Sequence, residues 1–325
     1  MSALVALAMA AAGITPATIP APVEVTAPGP QGALAGTMLD PGPRAPLVLI
    51  VPGSGPTDRD GNNPMGVAGG PYRQLAEALA AQGIASVRVD KRGMFGSRAA
   101  VADPNDATTA LYADDVHAWV AALRQRTGRP CIWVLGHSEG ALVALQAAQA
   151  PAGICGLILV SGGGRPIGTV MRDQLRANPA NAPILDAALA TIDALEAGRR
   201  VPVDTLPAPI RPLFADKVQP YLIDLMSHDP AKLIAAVKLP VLIVQGERDI
   251  QVSVEDAKLL KAAQPAARLV LVPDVNHVLR PVVSDDRAAN IATYMNATLA
   301  IDPAVPATIA TFLKRGVATP PAKGG

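Results

Sequence analysis

The sequence predicts an α/β fold in which a mostly parallel sheet is covered by helices on both faces. From residue 46 onward, short β-branched apolar runs alternate with Ala- and Leu-rich segments of helical length. Several of these runs are apolar at nearly every position, which is typical of strands buried on both faces. The 325 residues, 50% of them apolar and 17% charged, are also enough to bury a large core, which excludes a disordered chain.

Each element follows from this alternation. Two early runs, residues 23–26 and 33–38, are expected to pair as an antiparallel edge. The strands that follow, several of them buried on both faces, are predicted at residues 46–51, 85–90, 131–135, 154–161, 240–245 and 268–272. The helices that cover them are predicted at residues 72–82, 108–125, 138–150, 254–263, 285–299 and 307–315.

One interval, between the sixth strand and the strand at residue 240, contains no strand pattern. A loop of that length needs structure or function of its own. Residues 170–177, 184–197 and 212–227 have helical apolar spacing, and prolines separate them. The sequence therefore predicts a helical cap, residues 164–236, inserted between two parts of a core, residues 23–163 and 237–316. The tail, residues 317–325, is expected to be loose.

The first 22 residues carry no charge and include an apolar run of signal-peptide length, although the basic residues that usually precede such a run are missing. We expect either a flexible leader or a signal peptide. The second alternative places the protein in the periplasm or outside the cell, and the first leaves it in the cytoplasm. No later segment has the 18 or so consecutive apolar residues of a membrane span.

Charge and cysteine usage exclude several function classes. Twenty-eight basic and 27 acidic residues give a net charge of +1, and only 3% of residues are aromatic, so no nucleic-acid partner is predicted. Cys131 and Cys155 lack the spacing of a zinc site. Because a disulfide across adjacent parallel strands is usually strained, both are expected to be free thiols.

Residues 58–62 superficially resemble a calcium loop, since Asp58, Asp60 and Asn62 alternate. Gly61 is misplaced for such a loop, and Gly69 stands where a glutamate ligand is required. No phosphate-binding glycine motif is complete either. The sequence therefore predicts neither a metal nor a cofactor.

The clearest chemical signal is Gly-His-Ser-Glu-Gly at residues 136–140, where a buried strand ends and a helix begins. This G-x-S-x-G pattern is typical of a sharp turn that exposes a nucleophilic serine, here Ser138. Gly136 and Gly140 leave room for the turn, because a β-carbon at either position would collide with the neighbouring backbone. The following helix presents its positive end to the serine.

A serine hydroxyl needs a base, and the chain contains only four histidines. His137 adjoins the serine, and its side chain should point away from it. His117 lies within a predicted helix and His228 at the end of the cap, where surface or structural roles are expected. His277 follows the last strand, in a loop that can reach Ser138, and is therefore the predicted base.

The imidazole in turn needs an acid to fix its tautomer. Asp249 follows the strand at residues 240–245, which gives the chain order Ser138, Asp249, His277. Glu247 and Asp274 are rivals that surface or capping roles also explain. Asp249 is the predicted acid.

Backbone donors are needed for the oxyanion that forms in acyl transfer. One should be the N–H of Glu139, and the other the N–H of Ser54 or Gly55, in the loop after the first buried strand. A loop merely rich in turn residues is the alternative. Residues 90–93, Asp-Lys-Arg-Gly, are expected to brace neighbouring loops through ion pairs.

With these motifs the chain resembles the α/β-hydrolase superfamily, and within it bacterial carboxylesterases grouped with serine aminopeptidase-like hydrolases. The resemblance rests on residues 53–61, 89–93, 136–140, 240–246 with Asp249, and 276–277, and it extends over about residues 46–299. It implies an α/β-hydrolase fold and cofactor-free hydrolysis of a small-molecule ester through Ser138, Asp249 and His277.

The resemblance leaves the substrate open. The cap is rich in Ala, Leu and Pro and poor in aromatic residues, which favours a short acyl group. Thioesterase activity uses the same groups. A serine aminopeptidase needs acidic residues for the substrate amine, and the cap offers four that helix surfaces also explain. These are Asp173, Asp186, Asp193 and Glu196.

Overall fold

The computed structural model of the protein describes residues 19–317 and has one eight-stranded sheet at its centre. The expected leader lies outside the described residues except for 19–22, and the expected tail except for 317. The strands are β1 (Val23–Ala27), β2 (Leu34–Leu39), β3 (Leu47–Val51), β4 (Ala85–Val89), β5 (Ile132–His137), β6 (Ile154–Val160), β7 (Val241–Gly246) and β8 (Arg268–Val272).

The helices lie on both faces of the sheet and in the interval between β6 and β7. They are α1 (Pro71–Ala80), α2 (Thr109–Thr127), α3 (Glu139–Ala147), α4 (Ile167–Arg176), α5 (Leu185–Glu196), α6 (Gln219–Met226), α7 (Pro230–Ala236), α8 (Val254–Ala263), α9 (Arg287–Met295) and α10 (Ala304–Val317). Within residues 19–317, no helix has both the length and the apolar character needed to cross a membrane.

The strand order is β1-β2-β4-β3-β5-β6-β7-β8. β1 pairs with β2 and β2 with β4 in the antiparallel sense, and all other pairs are parallel. This confirms the predicted fold class and the antiparallel edge. The order reverses direction at β3, whose neighbours are β4 and β5, and ligands of open α/β sheets bind at the carboxyl ends of strands beside such a point.

Both faces of the sheet are buried at its central strands, as the apolar runs predict, whereas the edge strands β1 and β8 are partly exposed. In β3, Leu47, Leu49 and Val51 join one apolar cluster, whereas Val48 and Ile50 join the cluster on the opposite face. Since successive strand side chains point to opposite faces, one short run contributes to both cores.

Residues 164–236, which we call the helical insertion, contain α4 to α7 and no strand. They have an apolar cluster of their own, formed by Ala188, Ile192, Leu195, Leu206, Ile210, Phe214, Leu222 and Met226. The helix expected at residues 212–227 is only α6, and Ala208–Ile210 before it form a short 3₁₀ turn. Prolines 207, 209 and 212 account for this difference, because proline restricts the backbone and lacks an N–H donor.

The helix expected at residues 285–299 is the shorter α9. Asp286 caps its first turn by accepting the N–H of Ala288. At the other end, the Asn296 side chain accepts the N–H and the hydroxyl of Thr298. Such local side-chain hydrogen bonds compete with the helix ladder and end it.

The expectation of free thiols is wrong, because Cys131 and Cys155 form a disulfide with a Cα–Cα distance of 5.1 Å. Cys131 precedes the first paired residue of β5. The β5–β6 register shifts from Ile132↔Ile154 to Trp133↔Gly156, which leaves Cys155 without a partner in the ladder. The objection to bridging adjacent parallel strands holds for residues fixed in register, and neither cysteine is fixed in this way.

Candidate active site

Ser138 lies at the sharp turn between β5 and α3. Its backbone angles, φ 55° and ψ −121°, are outside the regions that L-residues ordinarily adopt. A β-carbon at Gly136 would overlap the carbonyl of Gly140, and one at Gly140 would overlap the carbonyl of Val51. The two glycines therefore allow the strand, the turn and the helix to pack directly against one another, and the half-buried serine is presented at the carboxyl end of β5.

The loop after β3 approaches the same turn. β3 pairs with β5 so that Val51 lies opposite Gly136. A β-carbon on Gly53 would stand 3.2 Å from the Ser138 Cβ, closer than most such contacts. The loop after β3 and the serine turn are neighbours because their two strands are neighbours.

His277 and Asp249 are joined by a hydrogen bond of 2.8 Å between Nδ1 and Oδ2, and both side chains are buried. The other oxygen of Asp249 accepts the N–H groups of Gln251 and Val252. Burial raises the pKa of Asp249, but the charge and hydrogen bond of His277, with the two N–H donors, outweigh burial and hold that pKa below its usual value. Asp249 is therefore a carboxylate at neutral pH, and the Nε2 atom of His277 is left for the cavity.

The other candidates are not in this arrangement. Glu247 is exposed, and half-exposed Asp274 pairs with Arg248 at 3.2 Å. His228 contacts the Thr109 hydroxyl at 2.9 Å. His117 lies on α2.

His137 and Tyr72 form a buried chain of hydrogen bonds that no sequence motif predicts. The Tyr72 hydroxyl accepts the Gly53 N–H at 3.2 Å and donates to His137 Nδ1 at 2.8 Å. His137 Nε2 lies 2.8 Å from the carbonyl oxygen of His277, and only a donor can pair there. Burial and the charge of His277 lower the pKa of His137 to about 3, so its ring is neutral. These hydrogen bonds connect the loop after β3 with the loop that holds His277.

Three of the predicted oxyanion donors, the N–H groups of Ser54, Gly55 and Glu139, have no partner among residues 19–317. Asp58 holds the loop after β3 in place, because its carboxylate accepts the N–H groups of Asp60 and Asn62 and the Asn62 side chain. The side-chain oxygens of Asp58 and Asn62 thus bind their own loop, whereas Asp60 pairs with Arg88 of β4.

The ion pairs expected at residues 90–93 are present. Asp90 binds Arg59 at 2.7 Å, and Arg92 binds Asp115 at 2.7 Å. Lys91 is buried and donates to the Gly53 carbonyl at 2.8 Å, with a Glu139 carboxylate oxygen at 3.4 Å.

Ser138 and His277 line one cavity of about 120 Å³, together with Ser54, Asn63 and Gln251. The described residues contain no direct hydrogen bond between the Ser138 hydroxyl and the His277 ring. Such bonds are often long without substrate and shorten when it binds. The arrangement provides a hydroxyl, an imidazole backed by a carboxylate, and free N–H donors around a small space.

Comparison with known proteins places the chain in a family. The family model described as "Alpha/beta hydrolase family" matches residues 47–293, well over half of the chain. The chain belongs to the alpha/beta hydrolase family. This confirms the resemblance inferred from the motifs, and the match includes Ser138, Asp249 and His277.

Among curated relatives, this alpha/beta hydrolase is 28% identical over 245 residues to esterase EstD of Thermotoga maritima, an alignment covering 72% of this chain and 54% of EstD. A shorter match of 67 residues, 33% identical, is to lipase 1 of Psychrobacter immobilis and covers 21% of each chain. The chain thus spans about half the length of EstD.

Solved structures share the fold. The Pyrococcus furiosus esterase Pf2001 superimposes with a TM-score of 0.58 at 18% identity, covering 95% of this chain and 96% of that one. A proline iminopeptidase of Mycobacterium smegmatis gives a TM-score of 0.57, also at 18% identity, covering 91% and 100%. Esterases and a peptidase therefore share this architecture, and the fold alone does not choose between their reactions.

Proposed function

We propose that this alpha/beta hydrolase cleaves carboxylic esters with short acyl groups through Ser138, His277 and Asp249. The observation that carries the proposal is the 2.8 Å bond from Asp249 to His277, beside a serine held at a strained turn and lining the same cavity. Similarity to esterase EstD supports an ester as the substrate class.

In the proposed reaction, the Ser138 oxygen attacks the ester carbonyl carbon while His277 Nε2 takes the hydroxyl proton. Asp249 stabilises the imidazolium that results. The carbonyl oxygen becomes an oxyanion and accepts the N–H groups of Glu139 and of Ser54 or Gly55.

The imidazolium then protonates the departing alkoxide, which leaves as the alcohol, and Ser138 retains the acyl group. A water molecule gives its proton to the neutral His277 and attacks the acyl carbon. The carboxylic acid leaves, and the proton returns to Ser138.

The size of the cavity supports a short acyl group. About 120 Å³ is well below the 300–1,000 Å³ of pockets that enclose drug-sized ligands. A long acyl chain requires either displacement of the wall or a position outside the cavity.

Aminopeptidase activity has weaker support, because three of the four acidic residues that could serve it in the helical insertion are engaged elsewhere. Asp173 binds Arg165 at 2.6 Å, and Asp193 and Glu196 both bind Arg172. None of them lines the cavity. Thioesters remain an alternative substrate, since the same groups act on them.

Hydrolysis of p-nitrophenyl esters from acetate to palmitate, alongside an aminoacyl p-nitroanilide and an acyl thioester, tests the proposal. We expect ester turnover that falls with acyl length and a loss of at least about 10⁴-fold in Ser138→Ala. Turnover of the anilide alone moves the assignment to a peptidase. Full activity in Ser138→Ala contradicts the mechanism.

The disulfide supports a place of action outside the reducing cytosol, since cytosolic thiols are kept reduced. Export through a leader at residues 1–22 accords with this proposal. Thiol titration of the denatured protein, isolated from its native host without reductant and with thiols blocked at lysis, should detect no free thiol. Two free thiols contradict it.

A further inference from the structure

Two buried side chains hold the backbone of Gly53 in place. Its N–H binds the Tyr72 hydroxyl, and its carbonyl oxygen accepts the Lys91 ammonium at 2.8 Å. Both backbone groups of Gly53 therefore form hydrogen bonds with buried side chains of the protein core. The next N–H along the chain, that of Ser54, has no partner among the described residues.

The carbonyl of Gly53 and the N–H of Ser54 belong to one peptide unit. A trans peptide is planar, so its C=O and N–H point in opposite directions. The structure describes no cis peptide. A group that holds the carbonyl toward the core thus also turns the N–H away from it, on the side where Ser54 lines the cavity with Ser138.

Lys91 also contacts the second donor segment. Its ammonium lies 3.4 Å from a Glu139 carboxylate oxygen, and the two side chains are 6% and 4% exposed. Glu139 is the first residue of α3, next to Ser138, and its N–H has no partner within the described part of the chain. One buried cation therefore touches both segments whose N–H groups would receive the oxyanion.

We infer that Lys91 is a positioning residue that aims the Ser54 N–H at the oxyanion and polarises it through the Gly53 carbonyl. Hydrogen bonds in a chain strengthen one another, and a charged donor at the carbonyl increases the positive charge on the N–H of the same peptide. The inference rests on the proposed function, because an oxyanion forms only in acyl transfer.

Lys91→Met tests this role, since methionine keeps most of the side-chain volume and removes the ammonium. Loss of a complete oxyanion donor costs about 10²–10³-fold in kcat. Misdirection of one donor should cost about 10- to 100-fold in kcat for p-nitrophenyl butyrate, with KM changed by less than about threefold. If Lys91→Met does not fold, Lys91→Gln takes its place.

Arg92→Met is the matched control. Arg92 is the next residue and is equally buried in an ion pair with Asp115, but it contacts α2 and not the loop after β3. We expect Arg92→Met to lower Tm and to leave kcat within about threefold at a temperature where both variants are folded. Equal kcat losses in the two variants would reduce Lys91 to a structural brace and overturn the inference.

Ser54→Pro supplies the second arm, because proline removes the N–H at an exposed position. If Lys91 acts through that N–H, Ser54→Pro lowers kcat by about 10²-fold or more, and adding Lys91→Met lowers it little further. An unchanged kcat in Ser54→Pro, or fully additive losses, overturns the inference.

Binding of 1-butaneboronic acid separates this inference from the proposed function. Its adduct on Ser138 is tetrahedral and directs an oxygen to the N–H donors. We expect Lys91→Met to weaken boronate binding about 10- to 100-fold and Arg92→Met to leave it unchanged. This result supports the inference even if the wild-type protein hydrolyses no ester, whereas equal boronate affinity in wild type and Lys91→Met overturns it.

Discussion

The two halves of the candidate site are fixed in different ways. Ser138 is fixed by backbone packing within five residues, where two glycines let β5, the turn and α3 make direct contact. His277 is fixed by side chains distant in sequence. Its carbonyl binds His137, 140 residues away, and its neighbour Asn276 binds Asn290 and Thr293 of α9.

Ser138 is thus held by local steric packing, whereas His277 is held by hydrogen bonds from residues that the fold brings together. Steric fixation cannot be removed without moving backbone, so stability and activity should be lost together on the serine side. Hydrogen-bonded fixation can be removed one group at a time, so on the histidine side activity should be lost from a folded protein. The predictions below test this contrast.

The largest expected effect is on the histidine side. Asp249→Asn keeps the shape of the side chain but favours the wrong tautomer of His277, and kcat should fall about 10⁴-fold with the fold retained. Steady-state kinetics with p-nitrophenyl butyrate, together with circular dichroism, measures both. The control is Asp274→Asn, at the rival carboxylate, which should stay within about twofold. A larger loss in Asp274→Asn would assign the acid to Asp274.

On the serine side, Gly140→Ala should destabilise the protein by about 3 kcal/mol and reduce activity with it, because the new methyl overlaps the Val51 carbonyl. Urea unfolding measures the loss. Gly128→Ala is the control, since Gly128 has a positive φ of 69° but open space around it. It should cost only about 1 kcal/mol and leave kcat unchanged. Equal costs would contradict the steric role assigned to Gly140.

A disruption away from both halves should affect stability alone. The disulfide joins the amino-terminal ends of β5 and β6, at the opposite end of β5 from Ser138. Replacing Cys131 and Cys155 by serine opens a loop of 24 residues in the unfolded chain and should cost about 3 kcal/mol in urea unfolding. The kcat value should not change. A fall in kcat would mean that the site senses the far end of the strand.

The smallest effect concerns His137, which joins the two halves. Because its pKa is lowered to about 3, the unfolded chain binds a proton below about pH 6.5 that the folded chain does not. The contribution of His137 to the free energy of unfolding is therefore complete above pH 6.5. It is lost as the pH falls toward 3. Between pH 6.5 and 5 the slope should approach 1.4 kcal/mol per pH unit.

His137→Gln should flatten this slope in urea unfolding measured from pH 5 to 7, since glutamine does not titrate and keeps a donor for the His277 carbonyl. A slope unaffected by His137→Gln would contradict the neutral, buried state of that ring.

The same contrast explains how much the sequence predicted. The fold class and the turn at Ser138 follow from local patterns, because apolar runs and a glycine-flanked serine act within a few residues. Histidine elimination and strand order led to His277 and Asp249 without any knowledge of distances. The chain through Tyr72 and His137 and the contact of Lys91 with Gly53 were missed, because each joins residues far apart in sequence.

The disulfide prediction failed for a related reason. The register shift at Cys155 arises from pairing between two strands, and neither strand's sequence reveals it alone. Helix ends in the insertion and at α9 differ for local reasons, since proline and asparagine break helices in ways that apolar spacing does not register.

The helical insertion packs its apolar cluster from its own residues, including Ile192, Leu195 and Phe214, while β5, β7 and β8 lead into the loops that bear the proposed triad. Substitutions confined to this cluster can therefore accumulate without repacking the sheet. The internal packing of the insertion and the chemistry of the site can thus change independently in descendants of this sequence.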